Sequence, residues 1–345
     1  MKTTIKQVAK EAGVSTATVS RALTGSGFVS EDVKVLVMAA VDKLHYQPNA
    51  VARSLKQDKT KTIGVIIPDI SNPFFMTVSK GIEDSVHGEG YNLLFASSDE
   101  DPQKEEELLH LLQEKRVDAL ILASAGGNDE RILKMAQFGT PVILLDRLPG
   151  GLDGMLDIVA EDNFQVAYEL TQSVLNKGHR RIGAINGFLD VSTGAGRYQG
   201  FLQAIADAGL PVEEQLVFDG EFSVDGGCKA VEYFMQNPYQ PTAIISFNNK
   251  MSFGALQGLI QYGIKLPDDM MLASYGVVDA ALLLHNPGIV YASQQPYEMG
   301  QRTGDLLLKR LQETDLQLYP PQNIIYRPVI QWMDESSNNE QGGRL

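Results

Sequence analysis

Over the first 55 residues the apolar positions recur at helical spacing, whereas beyond residue 61 they come in short β-rich runs. Thr4-Ile-Lys-Gln7 has the form of a capping box. Ile5, Val8, Ala9 and Ala12 then share one helical face. Gly13-Val14 makes a turn, and Ser15 opens a second helix from Thr16 to Leu23. Val19, Ala22 and Leu23 point back at the first helix, leaving Thr16, Ala17, Ser20 and Arg21 on the outer face. Ser30 is the expected cap of a third helix, with Glu31 and Asp32 at its positive end. Val33, Leu36, Val37, Ala40, Val41 and Leu44 form its stripe. A helix, a tight glycine turn and a helix presenting small polar residues and an Arg is the layout of a helix-turn-helix reader of the major groove. The Pro48-initiated segment that follows, ending at Leu55, is too short for a stable lone helix. Lys56 to Lys61 is a charged linker.

From Thr62 onward, apolar runs alternate with amphipathic stretches such as Lys104–Lys115 and Gln165–Lys177. The runs are Ile63–Pro68, Leu93–Ser97, Ala119–Ala123, Val142–Asp146, Arg181–Asn186, Ala243–Phe247 and Met271–Tyr275. Repeated βα units imply parallel sheets covered on both faces. Two such series predict an α/β core of two similar lobes behind an all-α head. Late runs near Ile289–Ala292 and Ile324–Ile330 are candidates for crossings between lobes. The expected division is a head over 1–46, a hinge helix and linker over 47–61, and a core over 62–333. Within the core, the first lobe takes about 62–160 and 293–320, and the second about 161–292 and 321–333. The polar segment 334–345 reads as a disordered tail.

Charge sharpens this division. The chain of 345 residues has a net charge of −14, which looks wrong for a DNA binder. Residues 1–61, however, hold ten Lys or Arg against five acids, a net of +5, leaving −19 for the remainder. A basic head attracts phosphate, and an acidic body limits adhesion to non-specific DNA. The single Cys228 and the absence of an apolar signal core place the expectation in a reducing cytoplasm. No run of about 18 apolar residues offers a membrane span.

Thr4 to Leu23, then Tyr46-x-Pro-Asn-x-x-Ala-Arg-x-Leu55, then Thr62-Ile-Gly-Val-Ile-Ile-Pro-Asp69, resemble the LacI–GalR family of bacterial repressors over nearly the whole chain. The resemblance implies a DNA-binding head, a hinge helix, and an effector-binding core with a periplasmic-binding-protein fold, working as a homodimer on a pseudo-palindromic operator. It places Thr16, Ala17 and Arg21 at base-reading positions, where Arg suits guanine. Thr4, Ser15 and Thr18 match phosphate contacts. Leu55, with Asn49 and Ala52 beside it, matches the wedge that kinks the minor groove. Arg21 as a mere phosphate contact, and Leu55 as simple hinge packing, stay open as alternatives.

Ligands in such sheets bind beyond the C-terminal strand ends. Asp146 and Arg147, and Asn248, are candidates from their places at strand ends, and the resemblance implies effector contacts also at Asn72, Phe74, Phe75, Arg197 and Gln294. Core packing is the alternative for the two Phe, and an interlobe or surface salt bridge for the polar residues taken singly. Relatives carry Gly-Phe-Asp-Asp after the late strand, but here the run is Tyr275-Gly276-Val277-Val278-Asp279, so Gly276 stands at the sugar-binding Asp position. Asp279, one turn away, is the candidate replacement. Losing that carboxylate should leave Arg147 and Arg197 under-neutralised, which favours a sugar phosphate or sugar acid over a neutral sugar. No cofactor or metal is expected: the five His are scattered, and Gly194-Ala-Gly196 with Gly200 lacks phosphate-loop spacing. No nucleophile elbow or kinase signature marks an enzyme. The expected function is therefore a repressor of a carbohydrate-utilisation operon. The alternatives are a catabolite-control-type regulator with a protein corepressor, or a purine-type corepressed one.

Overall fold

The structure is a computed structural model that describes residues 3–25, 27–47, 59–313 and 320–333. The expected hinge residues Asn49, Ala52 and Leu55, and the tail 334–345, lie outside the described residues. The chain forms two compact units, Met1–Thr60 and Lys61–Leu345.

In the first unit, α1 (Ile5–Glu11), α2 (Thr16–Thr24) and α3 (Glu31–Lys43) form a three-helix head. The Gln7 side chain accepts the Thr4 backbone N–H at 2.8 Å, which satisfies one of the first-turn donors. Ser15 Oγ accepts from the Thr18 N–H at 3.1 Å and caps α2, which stops at Gly25 in the left-handed region. Ser30 holds the extended N-cap backbone of α3 without a side-chain cap bond. Val8, Val19 and Val37 are fully buried where the three helices meet. Each such burial contributes about 1.5–3 kcal/mol, much of what so small a core has. The expected stripe of α3 is narrower than its apolar residues. Leu36 is 55% exposed, because Val37 and Ala40 centre the buried face and Leu36 flanks it.

The second unit holds two six-stranded sheets. The first runs β11-β5-β4-β3-β1-β2, all parallel, from β1 (Thr62–Ile67), β2 (Asn92–Ser97), β3 (Ala119–Leu122), β4 (Val142–Leu145), β5 (Asp157–Glu161) and β11 (Asn323–Tyr326). The second runs β12-β10-β9-β8-β6-β7, from β6 (Ile182–Asn186), β7 (Val217–Asp219), β8 (Ala243–Ser246), β9 (Met271–Tyr275), β10 (Ile289–Ser293) and β12 (Val329–Met333). Only β12 is antiparallel to its neighbour in that sheet. Central strands such as Ala-Leu-Ile-Leu in β3 and Val-Ile-Leu-Leu in β4 are buried along their whole length, as strands covered on both faces must be.

The helices between the strands are α4 (Pro73–His87), α5 (Pro102–Glu114) and α6 (Asp129–Gln137) in the first lobe, and α7 (Asn163–Asn176), α8 (Ser192–Asp207), α9 (Val224–Gln236) and α10 (Asn249–Gln261) in the second. The last helix, α11 (Pro296–Gln312), returns to the first lobe and packs on α4. Gly81 and Gly300 permit that contact: a Cβ at Gly81 would lie 2.2 Å from the Tyr297 carbonyl oxygen. Arg310 on α11 grips buried Asp157 through two bonds of 2.7 and 2.8 Å, and Asp157 also accepts from the Gln322 N–H at 2.7 Å. This cluster fixes the chain just before β11.

The chain crosses between lobes after β5, after β10, and between β11 and β12. The last crossing corrects the expected boundary, which assigned 321–333 to the second lobe. Residues 323–326 pair with β5 in the first sheet, and only 329–333 join the second. The single late apolar run is in fact two strands, because Arg327-Pro328 interrupts it and Pro lacks the N–H that a ladder needs.

Candidate functional site

On the head, Thr16, Ala17 and Arg21 are exposed on α2, as are Thr4 and Ser15, with Thr18 half-buried. The Ser15 and Thr18 hydroxyls lie 2.9 Å apart at the positive end of α2. Hydroxyls beside the free N–H groups of a first helical turn suit a phosphate, while the next turn carries the Arg.

In the core, eight candidate residues from both lobes converge on one small chamber of about 30 Å³. They are Asn72, Phe74, Phe75, Asp146, Arg147, Arg197, Asn248 and Gln294. Asn72 caps α4 through the Phe74 N–H at 3.0 Å, and Asn248 caps α10 through the N–H groups of Lys250 and Met251. Capping therefore aims two amides and two helix N-termini into the cleft. Phe75 is 5% exposed and belongs to the first lobe's core, so it serves packing and lining together. The ninth candidate, Asp279, is not in this chamber. It is exposed at the start of a short 3-10 helix, and it borders a second, outer cavity.

Asp146 has a φ of +62°, and the Arg147 N–H bonds the Leu145 carbonyl at 2.6 Å across it. This is a γ-turn with a positive central φ, a strained form that places both side chains at the strand end. Arg147 then forms a bidentate pair with Glu100 at 2.6 and 2.7 Å, and its guanidinium lies 5.5 Å from the Phe222 ring of the other lobe. Arg197 donates to Asn163 at 2.7 Å and to the Phe247 carbonyl at 2.8 Å, with its guanidinium 3.7 Å from the Tyr275 ring centre.

Sequence reasoning missed a buried network beneath these residues. Glu161, at the end of β5, accepts from Gln294 at 2.8 Å and from the Tyr275 hydroxyl at 3.2 Å. Burial pushes its carboxyl up to about 7, against the attraction of Arg197. Burial likewise raises Asp146, opposed by Arg197 and Arg147, and holds the Tyr275 hydroxyl well above its ordinary range. Asp146 Oδ1, Arg147 Nε, Glu161 Oε1 and both side-chain polar atoms of Asn186 are buried without a protein partner. Unmet hydrogen-bonding capacity of this kind is costly unless water or a ligand satisfies it.

At the rim, Lys250 pairs with Asp69 across the lobes at 2.5 Å and donates to Ser71 at 2.9 Å. Asn249 donates to Asn72 at 3.1 Å. Burial works to raise Asp69, but its bonds from Lys250 and Ser71 outweigh that and hold it below its ordinary value. Glu100, Glu161 and Phe222 belong to no short motif. Glu100 and Phe222 lie past β2 and β7 and Glu161 closes β5, and β5 and β7 carry no strand signal in the sequence; Tyr275 closes β9 and is read only as part of the altered late-strand run.

The expectation of an anionic ligand rested on under-neutralised arginines. In the cleft Arg147 is paired with Glu100 and Lys250 with Asp69, while burial pushes Asp146 and Glu161 toward their protonated forms. Among the described residues no helix is long and apolar enough to cross a membrane.

Two protein families match this chain. Bacterial regulatory proteins of the lacI family match residues 4–49, and the periplasmic binding proteins and sugar-binding domain of the LacI family match residues 60–315. The HTH-type transcriptional repressor PurR of Actinobacillus pleuropneumoniae serotype 3 (strain JL03) is 32% identical over 327 residues, covering 95% of this chain and 96% of its own. Among solved structures, the transcriptional regulator CelR in complex with cellobiose superposes with a TM-score of 0.71 at 25% identity, covering 96% of this chain and 98% of its own. The Lac repressor dimer bound to operator and the anti-inducer ONPF gives a TM-score of 0.81 at 20% identity, again covering 96% and 98%, a likeness of fold. The chain therefore belongs to the LacI family of bacterial regulatory proteins and is a DNA-binding transcription regulator.

Proposed function

We propose that this protein is a homodimeric repressor whose operator affinity is set by a neutral, polyhydroxylated effector, a sugar, held between the core lobes. The observation that carries the reading is the cleft itself. Its lining holds a buried, unpartnered acceptor, Asp146 Oδ1, and a buried, unpartnered donor, Arg147 Nε, with Glu161 Oε1 likewise unpartnered in the network beneath. A hydroxyl group both donates and accepts, so a polyol answers that mixture. A phosphate or carboxylate would meet Arg147 already paired with Glu100, and Arg197 already donating to Asn163 and the Phe247 carbonyl. The CelR relative is seen with cellobiose, a neutral sugar.

The inner chamber has room for water and little more. A sugar ring enters only as the lobes move apart, so effector binding and lobe angle are linked. In a homodimer whose two heads read matching half-sites, a change in lobe angle becomes a difference in DNA affinity. Thr16, Ala17 and Arg21 would read bases, with Thr4, Ser15 and Thr18 on phosphates.

The test is operator affinity of the full-length protein at fixed salt, on a palindromic site from its own upstream DNA. Neutral sugars, sugar acids, sugar phosphates and purines are added singly. A neutral sugar should shift affinity about tenfold, roughly 1.4 kcal/mol of coupling. A response to anionic compounds alone overturns the neutral reading. Response to none of them transfers the role to a protein corepressor.

A further inference from the structure

We propose that the effector is a glycoside with an aromatic aglycone, the sugar ring in the inner chamber and the aromatic group in the adjoining outer cavity. This rests on the reading of the cleft as a sugar site. The outer cavity measures about 610 Å³, inside the range that holds small-molecule ligands. It is continuous in lining with the inner chamber, since Phe74, Asn249 and Gln294 border both. Its remaining walls are mostly apolar: Pro73 from one lobe, and Val224, Phe253, Val277 and Val278 from the other. Polar groups, among them Lys250 and Asp279, contribute the rest.

Residue 276 sits where the two chambers adjoin. Tyr275 lines the inner chamber and Val277 the outer, and Gly276 lies between them with a φ of +100°. A Cβ there would stand 2.7 Å from Gln294 Oε1 and 3.2 Å from Asn249 Cβ, the side chains that border both spaces. Gln294 cannot easily withdraw, because its Nε2 is bonded to buried Glu161. A side chain at 276 would crowd this junction, and glycine leaves that space free. An occupant there touches both lobes, so it adds to the differential affinity on which control depends.

A second sugar is the poorer occupant. Its hydroxyls would lose water against valine and phenylalanine side chains with little to replace it. An aromatic ring loses nothing by that transfer and gains contact with the Phe74 and Phe253 rings.

The experiment compares methyl glycosides, phenyl glycosides and free sugars of glucose, galactose and ribose in both anomers, with cellobiose and lactose as disaccharides. Binding to the full-length protein is followed by calorimetry. For the sugar that binds, the phenyl glycoside should bind at least tenfold tighter than the methyl glycoside, and tighter than the disaccharide. Val277→Asp and Ala280→Asp, at two lining residues of the outer cavity that are not buried and do not border the inner chamber, should each remove most of that preference and leave the methyl glycoside unaffected. Equal binding of methyl and phenyl glycosides, a disaccharide binding tightest, or a preference that survives both substitutions overturns the outer site while leaving the sugar reading intact. Binding of no compound in the set overturns both.

Discussion

The two lobes of the core share one strand order and differ in what each strand carries at its C-terminal end. In the first lobe, β1, β2, β4 and β5 are followed or closed by Asp69, Glu100, Asp146 and Glu161. At the matching strands of the second lobe, β6, β7, β9 and β10, stand Asn186, Phe222, Tyr275 and Gln294. The first lobe's own cation, Arg147 after β4, is consumed by Glu100, and the second lobe supplies cations from helices, Arg197 on α8 and Lys250 on α10. One topology thus builds an acidic rim and, opposite it, a rim of amides, aromatics and cations. The fold fixes where the positions are, and the residue at each position fixes the chemistry. The lobes are held by complementary charge across a cleft whose deepest members are buried.

Removing the buried cation tests this arrangement most severely. Arg197 is 5% exposed and offsets the charge of both Asp146 and Glu161. Arg197→Ala should lower unfolding free energy by about 3–5 kcal/mol, the usual result of orphaning a buried charge. Urea denaturation at neutral pH measures it. Arg197→Lys should recover part of the loss, since it restores charge but not the fork that holds Asn163 and the Phe247 carbonyl. A loss below 1 kcal/mol would mean that the acidic rim is not supported from across the cleft.

The same contrast explains what could be read from sequence. The head was legible because its signals are local: capping at Thr4 and Ser15 and a stripe through Val8, Val19 and Val37 within the first 40 residues. Leu36 was misplaced because periodicity does not say how wide a face the neighbours cover. Strand ends were legible wherever the strand was apolar enough to recognise, as at Asp146, Arg147 and Asn248, whereas Arg197, inside a helix, and Gln294 were reached through the resemblance; eight of the nine candidates border one chamber. Strand β5 escaped notice because it begins at Asp157 and ends at Glu161. These look like solvated residues until their partners are known, and the partners are far away in sequence. Arg310 lies 153 residues from Asp157, and Gln294 lies 133 from Glu161. Asp279 was drawn into the site by its nearness to Gly276, but the chain turns there at positive φ and carries it to the outer cavity. The pairing of Arg147 was illegible for the same reason as β5: Glu100, 47 residues away, belongs to no motif that would announce it.

Protonation of the acidic rim gives the next largest effect. The carboxyl of Glu161 titrates at about 7 when folded against 4.5 as its ordinary value. The folded state therefore holds the extra proton between those values, and stability falls as pH rises through 7. Since each tenfold change in proton affinity is worth about 1.4 kcal/mol, the effect should exceed roughly 1 kcal/mol. Glu161→Gln should flatten this fall, so urea midpoints at pH 5 and pH 8 should differ less in the variant than in the parent. Asp146 is raised in the same direction and stays in both proteins, so the difference between them isolates Glu161. Parallel curves for the two proteins would show that Glu161 is already solvated or fully compensated by Arg197.

The rim pair should matter least to stability, and the reason is exposure. Lys250 and Asp69 join the lobes at 2.5 Å, but their side chains are 21% and 26% exposed. Partly wet pairs of this kind contribute about 1 kcal/mol or less and weaken with salt. Because Asp69 is held below its ordinary value when folded, its contribution is present at neutral pH and is lost as pH falls through the folded value. Asp69→Asn should therefore cost about 1 kcal/mol at pH 7 in low salt, less at 1 M salt, and little below pH 3. Unfolding midpoints under those three conditions measure it. A cost as large as that of Arg197→Ala would place the main electrostatic clasp of the lobes at the mouth of the cleft rather than at its floor. The buried network of Glu161, Tyr275 and Gln294 would then be left to shape the ligand chamber alone.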